Sequence, residues 1–181
     1  MRISVPYYSQ HLDVADSKWQ SRACGVACLK MLLEARSFKT PSLDDMIIEG
    51  DRIGAYTEHG WLHDGLISLG SIYGANLYRI EFRRKGADYE TSLRLNNEGI
   101  EMILQELDAG RPVIVSAIKQ FKIHDKYHMV VIVGVEMEKG AVKGFYYHDP
   151  DSDTPNGGAY QFVPLAIFRN AWRCMAIFSK K

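Results

Sequence analysis

The sequence has few cysteines, no excess of charge of either sign and no apolar run long enough to cross a membrane. Its 181 residues include three cysteines, Cys24, Cys28 and Cys174, an odd number whose spacing fits neither a disulfide framework nor a zinc cluster. Lysine plus arginine and aspartate plus glutamate number 22 each, so no overall field attracts nucleic acid or an anionic membrane. These absences predict a protein of a reducing compartment that recognises its partner locally.

The N-terminus also lacks the pattern of a signal peptide, because Pro6 and Gln10 interrupt its apolar residues early. The longest apolar runs, PVIVSAI and MVVIVGV, have the length of strands and fall well below the ~18 residues that a membrane helix needs. We therefore expect a soluble, cytoplasmic protein that does not span a membrane. Its length predicts one domain, residues 1–181, with a full hydrophobic core.

Helical patterns come first in the chain and strand patterns come later. Apolar residues at helical spacing predict helices over residues 21–35, 41–50, 61–74 and 96–109. Apolar or alternating runs predict strands over residues 76–82, 112–118, 128–137, 141–149 and 172–180, and the charged residues 83–92 predict a solvated loop. This order is typical of an α+β protein with a mostly antiparallel sheet. The first long helix is apolar almost all round, which predicts a central, buried position.

The stretch SRACGVACLKML contains two cysteines on the same helix face, either a nucleophile and a core residue or two small core residues. With Ser21 as the N-cap, Cys24 falls in the first turn, where unpaired N–H groups and the helix dipole stabilise a thiolate. Cys28 lies one turn further along, where a small buried residue is expected. Cys24 is therefore the candidate nucleophile of the two, and residues further along the chain decide whether it has that role.

A histidine and an aspartate are expected to meet across a later hairpin. The strands 128–137 and 141–149 are joined by a few residues that include Gly140, which is typical of a hairpin turn. A turn centred near residues 138 and 139 brings His128 beside Asp149, within a residue or two. A carboxylate fixes the tautomer of a neighbouring imidazole and stabilises its charged form, as a general base requires. A core histidine satisfied by a carboxylate is the structural alternative.

A cysteine, a histidine and an acid in this chain order form the template of thiol hydrolases, provided that the helix packs against the sheet. Gln10 adds a fourth element, because it lies shortly before the candidate nucleophile. Its side-chain amide and the backbone N–H of Cys24 could together hold a developing oxyanion. The four residues indicate acyl transfer through a thiol.

Five stretches in this order, VPYYSQ, ACGVACLKMLL, AGRPVIVSA, YHMVVIVGVE and YYHDPDS, resemble the motifs of the C39-like cysteine peptidases of the papain-like superfamily. The resemblance covers nearly the whole chain and implies a papain-like α+β fold, with a central N-terminal helix packed on a mostly antiparallel sheet. It implies a peptide or protein substrate, with Cys24 as nucleophile and His128 as general base and acid. It further implies that Asp149 orients His128 and that Gln10 is the oxyanion donor.

The sequence departs from the family pattern at Val26, where proline or a small polar residue more often follows the Cys-Gly pair. Hydrolysis of a peptide bond is the function that we favour. Transfer of the acyl group to an amine or thiol on the same site is one alternative. A catalytically silent peptide-binding module is another, although the presence of all four residues argues against it.

Two patterns begin like metal sites without completing them. His59 and His63 have the i, i+4 spacing of helical zinc ligands, but no glutamate stands between them and Gly60 weakens a helix there. The stretch DPDSDTPNGGAY starts with alternating aspartates, but Thr154 and Tyr160 stand where a calcium loop needs glycine and an acid. A turn-rich loop is the better interpretation. The sequence predicts neither a metal nor a cofactor.

Two other histidines compete with His128 for the role of base. His148 precedes Asp149 directly, but strand alternation sends it to the opposite face. His124 falls in a polar loop before the predicted strand. Four aromatic residues either line a substrate groove or fill the core: Tyr7, Tyr8, Trp19 and Trp61.

Overall fold

The computed structural model of the protein describes residues 1–180, and for residues 123–125 it describes the backbone alone. Its helices are α1 (Ser17–Gln20), α2 (Cys24–Ala35), α3 (Leu43–Arg52), α4 (His63–Ile72), α5 (Tyr89–Asp108) and α6 (Leu165–Ala171). Its strands are β1 (Tyr56–Thr57), β2 (Gly60–Trp61), β3 (Leu77–Glu81), β4 (Val113–Lys119), β5 (Ile123–Glu138), β6 (Ala141–His148), β7 (Gln161–Pro164) and β8 (Trp172–Ser179). Strands β1 and β2 form a small hairpin, and a larger sheet has the order β3-β8-β4-β5-β6-β7. All pairings between these strands are antiparallel.

Helix α2 packs against β4 and β5 on one face of the larger sheet, and α3 and α4 pack against it in turn. Nine of its twelve residues are buried, so its apolar surface is covered nearly all round. The strands supply alternate residues to this core: Met129, Val131, Val133, Met175 and Ile177. The predicted central position of this helix is confirmed.

The intervening strand residues enter a second core that includes side chains of α5 and α6. Its largest fully buried side chains are Phe145, Phe168 and Phe178. Because β4 and β5 are covered on both faces, their sequences read as continuous apolar runs without polar alternation. The α+β class and the antiparallel sheet are therefore as predicted.

The N-terminal segment runs along β5 at an irregularity of that strand. The Ile3 N–H donates to the Val133 carbonyl at 2.7 Å, and Arg2 pairs with Gly134. A side chain at position 134 would collide with the backbone of Met1, so glycine is required by this close approach. Further along, the Gln10 N–H donates to the Pro150 carbonyl at 2.8 Å. The extended N-terminal segment thus brings Gln10 to the loop that follows β6.

Helix α5 begins at Tyr89, although residues 83–92 were expected to form a loop and the helix to start at residue 96. The carboxylate of Asp88 accepts the Thr91 N–H at 2.7 Å and caps the earlier start. The charged residues of the first turns lie on the solvent side, which explains why they resemble a loop in sequence.

Strand β5 begins at Ile123, where the sequence predicts a polar loop up to His128. The turn before it is tight, because Gln120 and Phe121 both adopt positive φ angles. The buried Phe121 ring packs on Tyr147 and Phe168 and holds this turn against the second core. Five short elements were not predicted: α1, β1, β2, β7 and α6. No helix among residues 1–180 is both long and apolar enough to cross a bilayer.

Candidate active site

The first turn of α2 presents Cys24 as the first helical residue, partly exposed to solvent. The sequence predicts Ser21 as the N-cap, but Ser21 ends α1 and Ala23 is the N-cap of α2. The reason is the additional helix α1, which Asp16 starts by accepting the Lys18 N–H. Ala23 offers no side-chain cap, so the first N–H groups of α2 keep their hydrogen-bonding capacity for the thiol. The predicted first-turn position of Cys24 is confirmed.

The Cys24 thiol lies against the ring of His128. Burial would raise the pKa of the thiol, but the charge and hydrogen bond of His128 lower it below its ordinary value. The backbone N–H groups of Met129 and Gly25 act in the same direction. For His128, burial would lower the pKa, whereas the charge of the Cys24 thiolate and the contact with Asp149 raise it to about 10. The pair therefore favours a thiolate beside an imidazolium.

The carboxylate of Asp149 lies on the other side of the His128 ring. The Nε2 atom of His128 is 2.7 Å from Oδ1 of Asp149, and both side chains are almost completely buried. Because Nε2 faces the carboxylate, Nδ1 is the nitrogen left for the Cys24 thiol. The same Oδ1 atom accepts the Asp151 N–H at 2.9 Å. The backbone of Asp149 is fixed by the Tyr7 hydroxyl, which donates to its carbonyl at 2.9 Å.

The expected contact between His128 and Asp149 is present, but the register differs from the prediction. In the hairpin, Val131 pairs with His148, so Asp149 lies just beyond the end of β6 and diagonal to His128. The turn is centred between Lys139 and Gly140, slightly later than predicted, and both residues have positive φ angles. The shift lies within the residue or two that the prediction allows, and the side chains of His128 and Asp149 are long enough to meet across it.

Cys28 occupies a different environment one helical turn further along. Its side chain is fully buried, and its thiol donates to the Met129 carbonyl at 3.3 Å. Burial and the neighbouring Cys24 charge raise its pKa well above the ordinary value. The prediction that Cys28 is a core residue is confirmed.

Gln10 is buried next to the loop that follows Asp149. Its amide nitrogen is 3.2 Å from Oδ1 of Asp151, and its backbone is tied to the same loop. The amide oxygen is buried and has no hydrogen-bond partner among the described residues. The described contacts of this amide group are with Asp151 and His11, so its role toward an oxyanion stays a prediction.

Asp151 is a neighbour of the site that the sequence analysis did not single out. Its Oδ1 atom is 2.8 Å from Nε2 of His11, and its Oδ2 atom is 2.7 Å from Nζ of Lys119. Burial would raise the pKa of this carboxyl, but Lys119 and His11 lower it below its ordinary value. The only signal in the sequence was the alternation of aspartates after β6, which reads equally well as a surface loop.

A cleft of 340 Å³ opens beside Cys24 and His128. One side is formed by the β1–β2 hairpin, where the Trp61 indole N–H donates to the Arg22 carbonyl at 2.7 Å. Gly25 has room for no larger side chain without pressing on Trp61 and Leu66. The remaining lining residues include Tyr56, Glu58, His59, His63, Ser116, Tyr127, Met129 and Arg173.

Of the four aromatic residues that could line a groove, Trp61 lines this cleft. Trp19 is buried beneath it and packs on Tyr56 and Trp61. The Tyr8 hydroxyl donates to Glu34 at 2.6 Å, on another side of α2, and Tyr7 supports the backbone of Asp149.

The competing histidines lie in other environments. His148 is fully buried; its Nδ1 accepts the Tyr160 N–H at 3.0 Å, and its Nε2 lies 3.1 Å from the Val5 carbonyl. His124 lies outside the residues whose side chains the structure describes. His59 stands exposed between β1 and β2, whereas His63 begins α4, so the two do not share a helix. In the described part of the chain, no cluster of metal-binding groups occurs.

Solved structures with the same fold come from peptidases. A C39-like peptidase from Bacillus anthracis has a TM-score of 0.66 at 18% identity, covering 100% of this chain and 98% of that chain. The double glycine motif protease from an AMS/PCAT transporter, in complex with the leader peptide, has a TM-score of 0.59 at 16% identity, covering 99% and 93%. The peptidase domain of Streptococcus ComA, a bi-functional ABC transporter, has a TM-score of 0.59 at 19% identity, covering 88% and 91%. The fold is therefore the papain-like fold of C39-like peptidase domains.

The amino-acid sequence also shows similarity to C39-like peptidases. A family model described as the Peptidase_C39 like family matches residues 2–177. The chain therefore belongs to the C39-like peptidase family. No curated protein sequence matches the chain significantly.

Proposed function

We propose that this protein is a cysteine peptidase that hydrolyses a peptide bond through an acyl-enzyme on Cys24. The observation that carries the proposal is the contact chain from the Cys24 thiol through the His128 ring to Asp149, at the edge of an open cleft. The thiol of Cys24 and the imidazole of His128 shift each other's pKa in the directions that a nucleophile and its base require. Membership of a peptidase family supports the same reaction class.

The reaction begins with the Cys24 proton on His128. The thiolate attacks the carbonyl carbon of the peptide, and the oxyanion that forms is held by the Cys24 N–H and the amide of Gln10. His128 then donates its proton to the leaving amine as the C–N bond breaks, which leaves a thioester on Cys24. A water molecule loses a proton to His128 and attacks the thioester. The C–S bond then breaks, which releases the new carboxylate product and returns the Cys24 thiolate beside protonated His128. Asp149 keeps the imidazole oriented throughout.

The substrate is a peptide or protein, and residues 1–181 act as one catalytic domain. A solved structure of the same fold is a complex of a protease with a leader peptide, which supports a peptide as the ligand here. Polar and charged residues, among them Ser116 and Glu58, line the cleft together with aromatic rings, a composition suited to an extended peptide backbone.

Incubation of the protein with a peptide library in H₂¹⁸O, followed by mass spectrometry, tests the proposal. Hydrolysis places ¹⁸O in each new C-terminal carboxylate, whereas acyl transfer to an added amine yields a new amide without ¹⁸O. The Cys24→Ala variant is expected to form neither product, and Cys28→Ala is the matched control that keeps activity. Cleavage by Cys24→Ala, or peptide binding by the unchanged protein without any product, contradicts the proposal.

A further inference from the structure

Strand β8 contains a bulge that places one arginine in the cleft. Ser116 of β4 pairs with Met175, but the next residue, Ala117, pairs with Trp172. Arg173 and Cys174 are therefore left out of this ladder, and Arg173 lines the cleft beside Cys24 and His128. Bulges commonly redirect a side chain next to a functional site.

The bulge is held in an unfavourable conformation. Cys174 has a φ angle of +56°, in the left-handed region that residues with a Cβ rarely adopt. Two hydrogen bonds stabilise it: the Trp172 indole N–H donates to the Met175 carbonyl at 2.9 Å, and the Phe82 N–H donates to the Cys174 carbonyl at 2.6 Å. The position of Arg173 is therefore fixed by the fold and is not that of a free surface side chain.

The Arg173 guanidinium lies over the face of an aromatic ring. Its central carbon is 3.7 Å from the centroid of the Tyr127 ring. A cation–π contact of this kind does not use up the N–H groups of the guanidinium, which can form two parallel hydrogen bonds to a carboxylate. Tyr127 is itself 60% exposed, so the pair is open to a ligand.

Two arginines of the neighbouring strand β3 and the residues just after it, Arg79 and Arg83, differ from Arg173 in having carboxylate partners, whereas Arg22, the other arginine that lines the cleft, has none among the described residues. Arg79 pairs with Asp64 and Glu81, and Arg83 also pairs with Glu81. Among the residues whose side chains are described, Arg173 has no such ion pair. Burial is the main cause of a lowered pKa at the neighbouring His63, with Arg173 and Arg79 acting in the same direction against Glu81. The lowered pKa disfavours the charged form of His63, which leaves Arg173 and Arg22 as the arginine cations that line the cleft.

We propose that Arg173 is a specificity determinant that binds a carboxylate of the peptide substrate. The carboxylate belongs either to an acidic side chain or to a free C-terminus, because both present the same pair of oxygens to the guanidinium edge. The inference rests on the proposed peptidase function and adds a substrate class to it. Binding of a carboxylate by Arg173 does not itself require cleavage. Peptide binding tests it separately.

The Cys24→Ala variant serves as the binding protein, since the nucleophile is absent and the ligand is not consumed. Fluorescently labelled hexapeptide pools, each with Glu, Gln, Asp or Asn fixed at one position, are titrated with this variant by fluorescence polarisation. A second set of pools compares free and amidated C-termini. We expect binding to prefer the carboxylate over its amide by about tenfold in one of the two sets of pools. That set shows whether the carboxylate is an acidic side chain or a free C-terminus.

Replacement of Arg173 by Gln in the same background is expected to remove this preference. Arg173→Lys keeps the charge but not the planar fork, so it is expected to retain only part of it. Arg83→Gln makes the same change of charge outside the cleft and is the matched control that keeps the full preference. Thermal unfolding of each variant checks that the bulge still folds.

Equal binding of acid and amide pools, or a preference that persists in Arg173→Gln, overturns the inference. A preference that is lost in Arg22→Gln instead overturns it as well, because Arg22 is the other arginine that lines the cleft. Cleavage of peptides without any carboxylate preference contradicts this inference alone. A carboxylate preference in binding without cleavage by the unchanged protein contradicts the peptidase proposal alone.

Discussion

The first and second turns of α2 carry the same side chain in opposite electrostatic settings. Cys24, in the first turn, meets the His128 ring and backbone N–H groups, and its pKa is lowered. Cys28, in the second turn, meets a carbonyl oxygen and apolar neighbours, and its pKa is raised. Each thiol has neighbours from the same strand, since Met129 of β5 contacts both.

Both residues are cysteines of the same helix, so the opposite shifts of their pKa values arise from the charges and hydrogen-bonding groups around them. An N–H group or a cation stabilises a thiolate, whereas a carbonyl acceptor and low polarity stabilise the neutral thiol. The free helix end supplies N–H groups at the first turn, and the helix's own hydrogen bonds consume them by the second. The direction in which each thiol pKa is shifted therefore depends on the position that the fold gives each cysteine.

Replacement of each cysteine by alanine is expected to give the largest difference in activity between two variants. We expect Cys24→Ala to lower kcat/KM for peptide hydrolysis by at least about 10,000-fold, since the nucleophile is removed. Cys28→Ala is expected to leave kcat/KM within about threefold and to lower the free energy of unfolding by about 1 kcal/mol, because a buried sulfur is lost. Steady-state kinetics and chemical denaturation measure the two quantities. Equal losses of activity in both variants would contradict the comparison.

Replacement of His128 by Gln removes the side chain that lowers the pKa of Cys24. We expect a loss of about 1,000- to 10,000-fold in kcat, because the general base is gone and the Cys24 thiolate loses its neighbouring cation. His148→Gln is a control for the loss of a buried histidine, since that ring contacts backbone groups away from Cys24. Near-ultraviolet circular dichroism measures the folded fraction of the His148→Gln variant and so shows how much of any loss of its activity comes from reduced stability. Full activity of His128→Gln would rule out its role.

Replacement of Asp149 by Asn is expected to lower kcat by about 1,000-fold, because the amide no longer stabilises the imidazolium or fixes its tautomer. The asparagine oxygen can still accept the Asp151 N–H, so the loop is expected to stay in place. Asp153→Asn, in the same loop but exposed, is the matched control. An unchanged kcat in Asp149→Asn would mean that His128 needs no carboxylate for its function.

The smallest of the four effects concerns Gln10. If its amide contributes to the oxyanion site, Gln10→Ala lowers kcat by about 100-fold while KM changes little. Gln105→Ala, an exposed glutamine on α5, controls for the loss of an amide. A change in KM alone would instead indicate that Gln10 supports the loop through Asp151, the contact that the structure describes.

Features set by short stretches of sequence were predictable. The apolar period around Cys28 predicts the buried α2, and the short connection at Gly140 predicts the hairpin that joins β5 to β6. The contact between His128 and Asp149 follows from that hairpin even with the register shifted, because long side chains tolerate the offset. Local periodicity and turn chemistry therefore predict the core of the candidate site.

Features set by distant contacts were not predictable. Asp151 joins His11 and Gln10 across most of the chain length, and nothing near any of them in sequence indicates the others. The bulge at Arg173 depends on how β4 and Phe82 meet β8, and the sequence of β8 alone reads as a regular strand. Tertiary packing decides such details, including the start of β5 at Ile123, ahead of His128.

Alkylation of the cysteines as a function of pH tests the central claim most directly. Iodoacetamide reacts with the thiolate, so a lowered pKa shifts the labelling of Cys24 to lower pH than that of an ordinary thiol. Peptide mapping by mass spectrometry is predicted to show Cys24 labelled first, with half-maximal rate below pH 8.5, and Cys28 unlabelled in the folded protein. In His128→Gln the half-maximal pH of Cys24 is predicted to rise. Labelling of Cys24 at or above the ordinary thiol pKa, or no shift in that variant, would contradict the account.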